Sequence, residues 1–214
     1  MKNNTQKLTT LYIVRHGETE WNVKGLLQGH GDSPLTAKGL KQAHDLKNKL
    51  KHIHFDEVFS SDLTRAKHTA EIITLKKKLT IKATQMLRET AFGKFEGKPY
   101  HKINTASKKL FDQHKHLSEE ERFRLKLAPD LESSEEAAMR FITFLREIAV
   151  DSQGKTVLVV THSGMMRHLL IHLGFVDHKV IPADAISHAA LVRIQSDGVN
   201  FFIKETCGIK KLTL

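Results

Sequence analysis

The chain has 214 residues, 40% of them hydrophobic and 27% charged, a composition and length that suit one substantial globular core. No apolar run is long enough to cross a bilayer, and a single cysteine, Cys207, rules out an internal disulfide. Lysine plus arginine number 34 against 24 acids, so the formal charge is +10 and anions are the favoured partners. The opening MKNNTQKLTT has no apolar centre of a signal peptide, and with the lone cysteine it leads us to expect a cytoplasmic protein.

Taken in chain order, Thr10 to Val14 reads as a short buried strand, apolar and β-branched. Thr36 to Leu50 reads as a helix, with Leu40, Ala43, Leu46 and Leu50 at spacings of three and four. Glu57 to Ser60 is a second strand. Leu63 to Leu75 is a helix with Ala66, Ala70 and Ile73 on one stripe, and Asp62 is expected to cap it. Leu79 to Leu87 reads as another strand. Ser134 to Val150 is a strong helix with Ser133 or Ser134 as its cap and Glu135 and Glu136 in the first turn. Thr156 to Val160 is the most hydrophobic strand, followed by a helix from Met165 to Leu173 that stops at Gly174. Leu191 to Ile194 and Phe201 to Lys204 flank an "SDG" turn, as in a hairpin.

Strands alternating with helices predict an α/β fold, a three-layer α/β/α sandwich on a mostly parallel central sheet. The stretch 91–131 breaks the rhythm. It is polar, rich in histidine and lysine, and weakly helical near Ile103 to Leu110. At about 40 residues it is too short for a core of its own and is read as an insertion over one end of the sheet, within a single domain spanning 1–214.

Ligands of parallel α/β sheets bind beyond the carboxyl ends of the strands. Three predicted strands end in polar chemistry there: Arg15-His16-Gly17, Ser60-Ser61-Asp62 with Arg65 just beyond, and Thr161-His162-Ser163-Gly164. The fold would gather Arg15, His16, Arg65 and His162 at one sheet edge. Two guanidiniums and two imidazoles suit a phosphate dianion, and the helix after Ser163 would add backbone N–H groups.

The same residues carry a resemblance. "RHGETEWN", "QGHGDSPLTAKG", "SSDLTRAKHTA", "LRETAFGKFEG" and "THSG" stand in the order seen in the histidine phosphatase superfamily, in its phosphoglycerate mutase-like branch. The resemblance covers Leu11 to about Leu173 and implies that family's phosphoglycerate mutase-like fold. It implies that His16 is the nucleophile that takes the phosphoryl group. Arg15, Arg65 and His162 would hold the phosphate oxygens, and Glu89 would be the general acid and base. Asn22, Gln28, Gly29, Ser163 and Gly164 correspond to positions near the substrate. Glu96 and Glu18 are the alternatives to Glu89. Trp21 and Phe95 read as packing residues, and His30 could face either pocket or solvent. No cofactor and no metal is implied. The pairs His52/His54 and His114/His116 lack a third ligand and, on a helix, would not share a face.

Within the family, a phosphatase is expected rather than a mutase. Mutases resemble one another in "FTG" where this chain has Leu27-Gln28-Gly29, in "NERHYG" where it has "RETAFGKFEG", and in an adjacent arginine pair. Here Arg122 and Arg124 are separated by Phe123, and about 40 residues follow the "THSG" helix. Two departures from the phosphatases stand beside these: Ser163-Gly164 where many have "HGG" or "HGN", and Leu131-Glu132-Ser133 where a glycine usually stands. The expected partner is a small phosphorylated substrate, with Lys98, Tyr100, His101, Lys102, Arg122 and Arg124 as possible readers of a second group. The lysine runs Lys76-Lys77-Lys78, Lys108-Lys109 and Lys210-Lys211 are scattered and lack interleaved aromatics. Neither nucleic acid nor a membrane is expected as a partner.

Overall fold

A computed structural model of the chain describes residues 7–75, 77–126, 128–175 and 185–210. Lys76 and Lys211 of the lysine runs lie outside them. Among the described residues six strands form one sheet: β1 (Thr9–Arg15), β2 (Glu57–Ser61), β3 (Ile81–Thr84), β4 (Thr156–Thr161), β5 (Ile186–Ser196) and β6 (Phe201–Ile209), in the order β3-β2-β4-β1-β5-β6. The first four run parallel, and β5 and β6 are antiparallel additions at one edge.

The central strands β1 and β4 are apolar along their middles, Leu11–Val14 and Val157–Val160, because both sheet faces are covered. Leu11 and Ile13 of β1, with Val157 and Val159 of β4, face one core. The helices over that core are α6 (Ser134–Asp151), through Phe141, Ile142 and Leu145, and α7 (Ser163–His172), through Met165, Met166 and Leu169. Tyr12, Val14, Leu158 and Val160 point the other way, onto α2 (Ala37–Lys49) and α3 (Thr64–Thr74). These are the three layers expected from the alternation of elements. Among the described residues no helix is long and apolar enough to cross a membrane.

Local chemistry sets the boundaries. Thr36 caps α2 by accepting from the Gly39 amide, 3.0 Å. Ser133 caps α6 in a reciprocal box with Glu136. The strand expected over Leu79 to Leu87 is confined to Ile81–Thr84. The Thr84 hydroxyl accepts from the Met86 amide and turns the chain into a 3₁₀ segment, Gln85–Leu87. The helix after β4 begins two residues earlier than Met165, because extended His162 is itself its N-cap. Leu131, where relatives tend to carry glycine, is a buried side chain and is not in the left-handed region. Gly17 and Gly39 allow a direct backbone approach, since a Cβ on Gly17 would lie 2.5 Å from the Gly39 carbonyl oxygen.

The 91–131 stretch holds α4 (Tyr100–Gln113), longer than its sequence pattern suggests, and α5 (Glu119–Phe123). Its start is stitched to the segment after α1 (Glu20–Val23). The Leu27 amide donates to the Lys98 carbonyl, the Gly97 amide to the Leu27 carbonyl and the Tyr100 amide to the Gly25 carbonyl.

Candidate active site

A cavity of about 310 Å³ opens beyond the carboxyl ends of β1 and β4. Arg15, His16, Asn22, Gln28, Gly29, Arg65, Glu89, Ser163 and Gly164 all line it. His162 lies directly behind, its ring centroid 5.1 Å from that of His16.

The two imidazoles have opposite, determined tautomers. His16 Nδ1 lies 2.7 Å from the Gly17 carbonyl oxygen. A carbonyl only accepts, so Nδ1 carries the hydrogen and Nε2 keeps its lone pair. His162 Nδ1 lies 3.3 Å from Arg65 Nε. A guanidinium only donates, so here Nδ1 carries the lone pair and Nε2 the hydrogen. His162 Nε2 is buried and finds no hydrogen-bond partner among the described residues. Burial, then the charges of Arg65 and Arg15, hold His16 well below the ordinary histidine range. Burial also depresses His162, aided by Arg65, His16 and Arg15. Both rings are neutral near pH 7, His16 keeping a lone pair on Nε2 and His162 an N–H there.

Arg65 is 1% exposed and organises its surroundings. Nη1 donates to the Gly31 carbonyl at 2.6 Å and to Asp32 at 3.1 Å, and Nη2 to the Gly29 carbonyl at 2.7 Å. Asp32 also accepts from the Thr64 amide and thereby caps α3. This corrects the expectation for Asp62. That carboxylate instead takes the Arg88 guanidinium in a two-pronged pair, at 2.7 and 2.6 Å. Arg15 donates from Nη1 to the Ile186 carbonyl and from Nη2 to His188 Nε2 at 3.0 Å. Its buried Nε has no partner among the described residues.

The N-terminus of α7 faces the carboxyl group of Glu89. Gly164 N–H donates to Oε2 at 2.9 Å, Ser163 Oγ lies 3.4 Å from the same oxygen, and the Thr90 amide donates to Oε1 at 3.0 Å. A Cβ on Gly164 would fall 2.2 Å from Glu89 Oε1, so a larger residue here would displace the carboxyl group. The backbone carbonyl of Glu89 accepts from Arg140 Nη2 and from His30 Nε2. Arg140 is held in turn by Glu132 at 2.8 Å.

The alternatives to Glu89 are occupied elsewhere. Glu18 accepts from Thr36 and Lys38. Glu96 accepts from the amides of His30, Gly31 and Phe92 and ties two loops together. Asn22 both lines the cavity and completes the cap of α1, where its Oδ1 accepts from the Thr19 amide at 3.1 Å.

A sequence description of the histidine phosphatase superfamily (branch 1) matches residues 11–207. The chain belongs to this superfamily. It is 32% identical over 185 residues to the broad-specificity phosphatase YOR283W of Saccharomyces cerevisiae, covering 83% of this chain and 75% of that one. It is 43% identical over 108 residues to the fructose-2,6-bisphosphatase TIGAR of Xenopus tropicalis, a match to 48% of this chain and only 39% of that protein. The solved structure of phosphoglycerate mutase from Bacillus anthracis is 28% identical, with a TM-score of 0.77 over 95% of this chain and 94% of that one.

Within this histidine phosphatase framework the 91–131 insertion, which lids the cavity through α4, contributes less charge than its composition suggests. Of the six lid residues singled out in the sequence, Tyr100 lines the cavity, joined by Ile103, Asn104 and Ser107 along one face of α4. Lys98, His101 and Lys102 are exposed outside the lining. Arg122 donates to the Lys115 carbonyl, and Arg124 pairs with Glu120 and Glu135. Trp21 packs against Gly31 and Gly97. Sequence reasoning missed His188, Arg140, Asp32, Arg167 and His168. The last two line the cavity three and four residues beyond Gly164, about one turn on, inside a helix that reads as plain core. His188 lies in a strand with no motif to mark it.

Proposed function

We propose that the chain is a metal-independent cytoplasmic phosphomonoesterase for small phosphorylated metabolites, working through a phosphohistidine on His16. The observation that carries this reading is the pair of opposed tautomers: a buried, neutral Nε2 lone pair on His16 beside an unpartnered N–H on His162.

In this mechanism His16 Nε2 attacks phosphorus as the bond to the ester oxygen breaks. Glu89, in its acid form, gives its proton to the departing alkoxide. The phosphoryl oxygens gain charge-assisted bonds from Arg15 and Arg65 and a donor from His162 Nε2. Water then attacks the phosphohistidine, Glu89 takes its proton, the N–P bond breaks and phosphate leaves. The cavity wall of Leu27, Phe92 and Ile103 with Asn104, Ser107 and Ser134 fits a small ester of mixed polarity. The formal charge of +10 suits an anionic metabolite; neither nucleic acid nor membrane is needed as a partner.

A mutase is the second reading, since a solved mutase shares the fold. Hydrolysis is favoured because Arg122 and Arg124 are engaged on the lid surface and neither lines the cavity. The test is a panel of phosphorylated metabolites with phosphate release as readout, run beside 2- and 3-phosphoglycerate interconversion primed with 2,3-bisphosphoglycerate. Phosphate release should dominate, and quenching should trap an acid-labile phosphoenzyme that His16→Ala abolishes. Interconversion faster than release would overturn the hydrolase reading, and label persisting in His16→Ala would overturn the nucleophile.

A further inference from the structure

We propose that His188 is a positioning residue for phosphoryl transfer, which it serves by fixing the guanidinium of Arg15. The proposal rests on the reading of Arg15 as a phosphate-holding group, and three features of the fold carry it.

The first is the hydrogen bond. Arg15 Nη2 lies 3.0 Å from His188 Nε2. Because the guanidinium can only donate, His188 must accept through Nε2 and carry its hydrogen on Nδ1. With the Ile186 carbonyl on Nη1, two acceptors on one short stretch of β5 set the plane of the guanidinium. Nε remains buried and unpartnered among the described residues.

The second is the backbone. β5 and β6 pair Ile186 with Ile209 and Leu191 with Cys207, so five steps along β5 match two along β6. The excess forms a bulge at 187–190, beside the carboxyl end of β1. Ala189 within it has φ of 56°, one of two non-glycine residues in the left-handed region among those described. Bulges and strained residues next to active sites re-aim side chains, and this one turns His188 toward Arg15.

The third is continuity with the nucleophile. The Ala189 amide donates to the His16 carbonyl at 3.3 Å, and the His188 and His16 ring centroids are 6.3 Å apart. The bulge therefore holds the backbone of one reacting residue and the side chain of its neighbour. Arg15, His16, Glu18 and Lys38 are the titratable groups around the His188 ring. Burial and Arg15 outweigh Glu18 and push it down to about 4, so it stays an acceptor at neutral pH.

The test uses the full chain, with p-nitrophenyl phosphate as substrate. His188→Ala should lower kcat/KM by about 10–100-fold, the usual loss for a partner that orients a reacting group. His188→Gln, whose amide oxygen can accept from Nη2, should recover most of it. In an Arg15→Ala background His188→Ala should cost nothing further, because its effect runs through Arg15. An undiminished His188→Ala enzyme, a Gln variant no better than Ala, or a full additional loss on Arg15→Ala would each overturn the proposal. A second readout needs no turnover: the side-chain N–H resonances of Arg15 should be sharp in the wild type and in His188→Gln, and broadened in His188→Ala. Resonances indifferent to residue 188 would overturn the proposal on their own. Absence of turnover in the wild type would count against the phosphatase reading, and the resonances would still decide the role of His188.

Discussion

Arg65 Nε donates to His162 Nδ1 across 3.3 Å, and that bond decides which nitrogen of His162 presents a hydrogen to its surroundings. The same guanidinium holds the carbonyls of Gly29 and Gly31. Arg65 is therefore at once a site residue and the fastener of the loop that walls the site.

Replacing it should act on both levels. Arg65→Lys keeps the charge and loses the fork. It should lower kcat/KM by roughly 10²–10³-fold. Stability should fall by about 1–3 kcal/mol, the cost of leaving buried acceptors unpaired. Steady-state kinetics and urea unfolding of one variant check both numbers. A large kinetic loss with unchanged stability would mean that the loop does not depend on this fork.

The buried histidines set the acid response. His16 and His162 have folded-state affinities for protons well below that of an unfolded histidine. The unfolded chain binds more protons once pH drops below about 6.5, so stability is present above that value and lost as pH falls. Each ring should cost about 1 kcal/mol between about pH 7.5 and about pH 5.5. Urea midpoints across this range in the wild type and in His162→Gln read the term. A variant with the same pH slope as the wild type would contradict it.

Glu89 can be tested from both sides of its contact with α7. Glu89→Gln should lower turnover by roughly 10²–10⁴-fold on alkyl esters, and by less on p-nitrophenyl phosphate, whose leaving group needs little protonation. Gly164→Ala should reproduce part of that pattern, because its Cβ would meet the Glu89 carboxylate. Equal losses on both ester types would remove Glu89 as the acid.

The positive charge and donors of the site come from Arg15, Arg65 and His162. Treatment with EDTA should therefore leave turnover unchanged, and vanadate should inhibit by adopting the five-coordinate geometry of phosphoryl transfer. Turnover lost to EDTA and regained with added Mg²⁺ or Zn²⁺ would require a different electrostatic account.

How much of this was legible before the fold was known differs from residue to residue. The layers followed from short apolar strands alternating with amphipathic helices, since both signals are local. Arg15, His16, Arg65 and His162 were legible because a parallel sheet sends its strand ends to one edge. Asp32 was not, because its partners, Thr64 and Arg65, are more than thirty positions away and only the closed loop brings them close. Asp62 was misread as a cap because the local rule for helix starts is silent about Arg88 across the sheet end. His188 escaped for a further reason: a bulge breaks the period-two pattern by which a strand residue would be assigned to a face.

The stitch between residues 25–27 and 97–100 marks a seam in the molecule. On one side stand the strand ends that carry Arg15, His16 and His162. On the other, α4 offers the cavity little more than Tyr100, Ile103, Asn104 and Ser107. Ile103, Asn104 and Ser107 lie on one face of α4, while Tyr100 belongs to the stitch itself through its amide. Changes at those three positions would reshape part of the cavity wall from one helical face and leave the strand ends as they are.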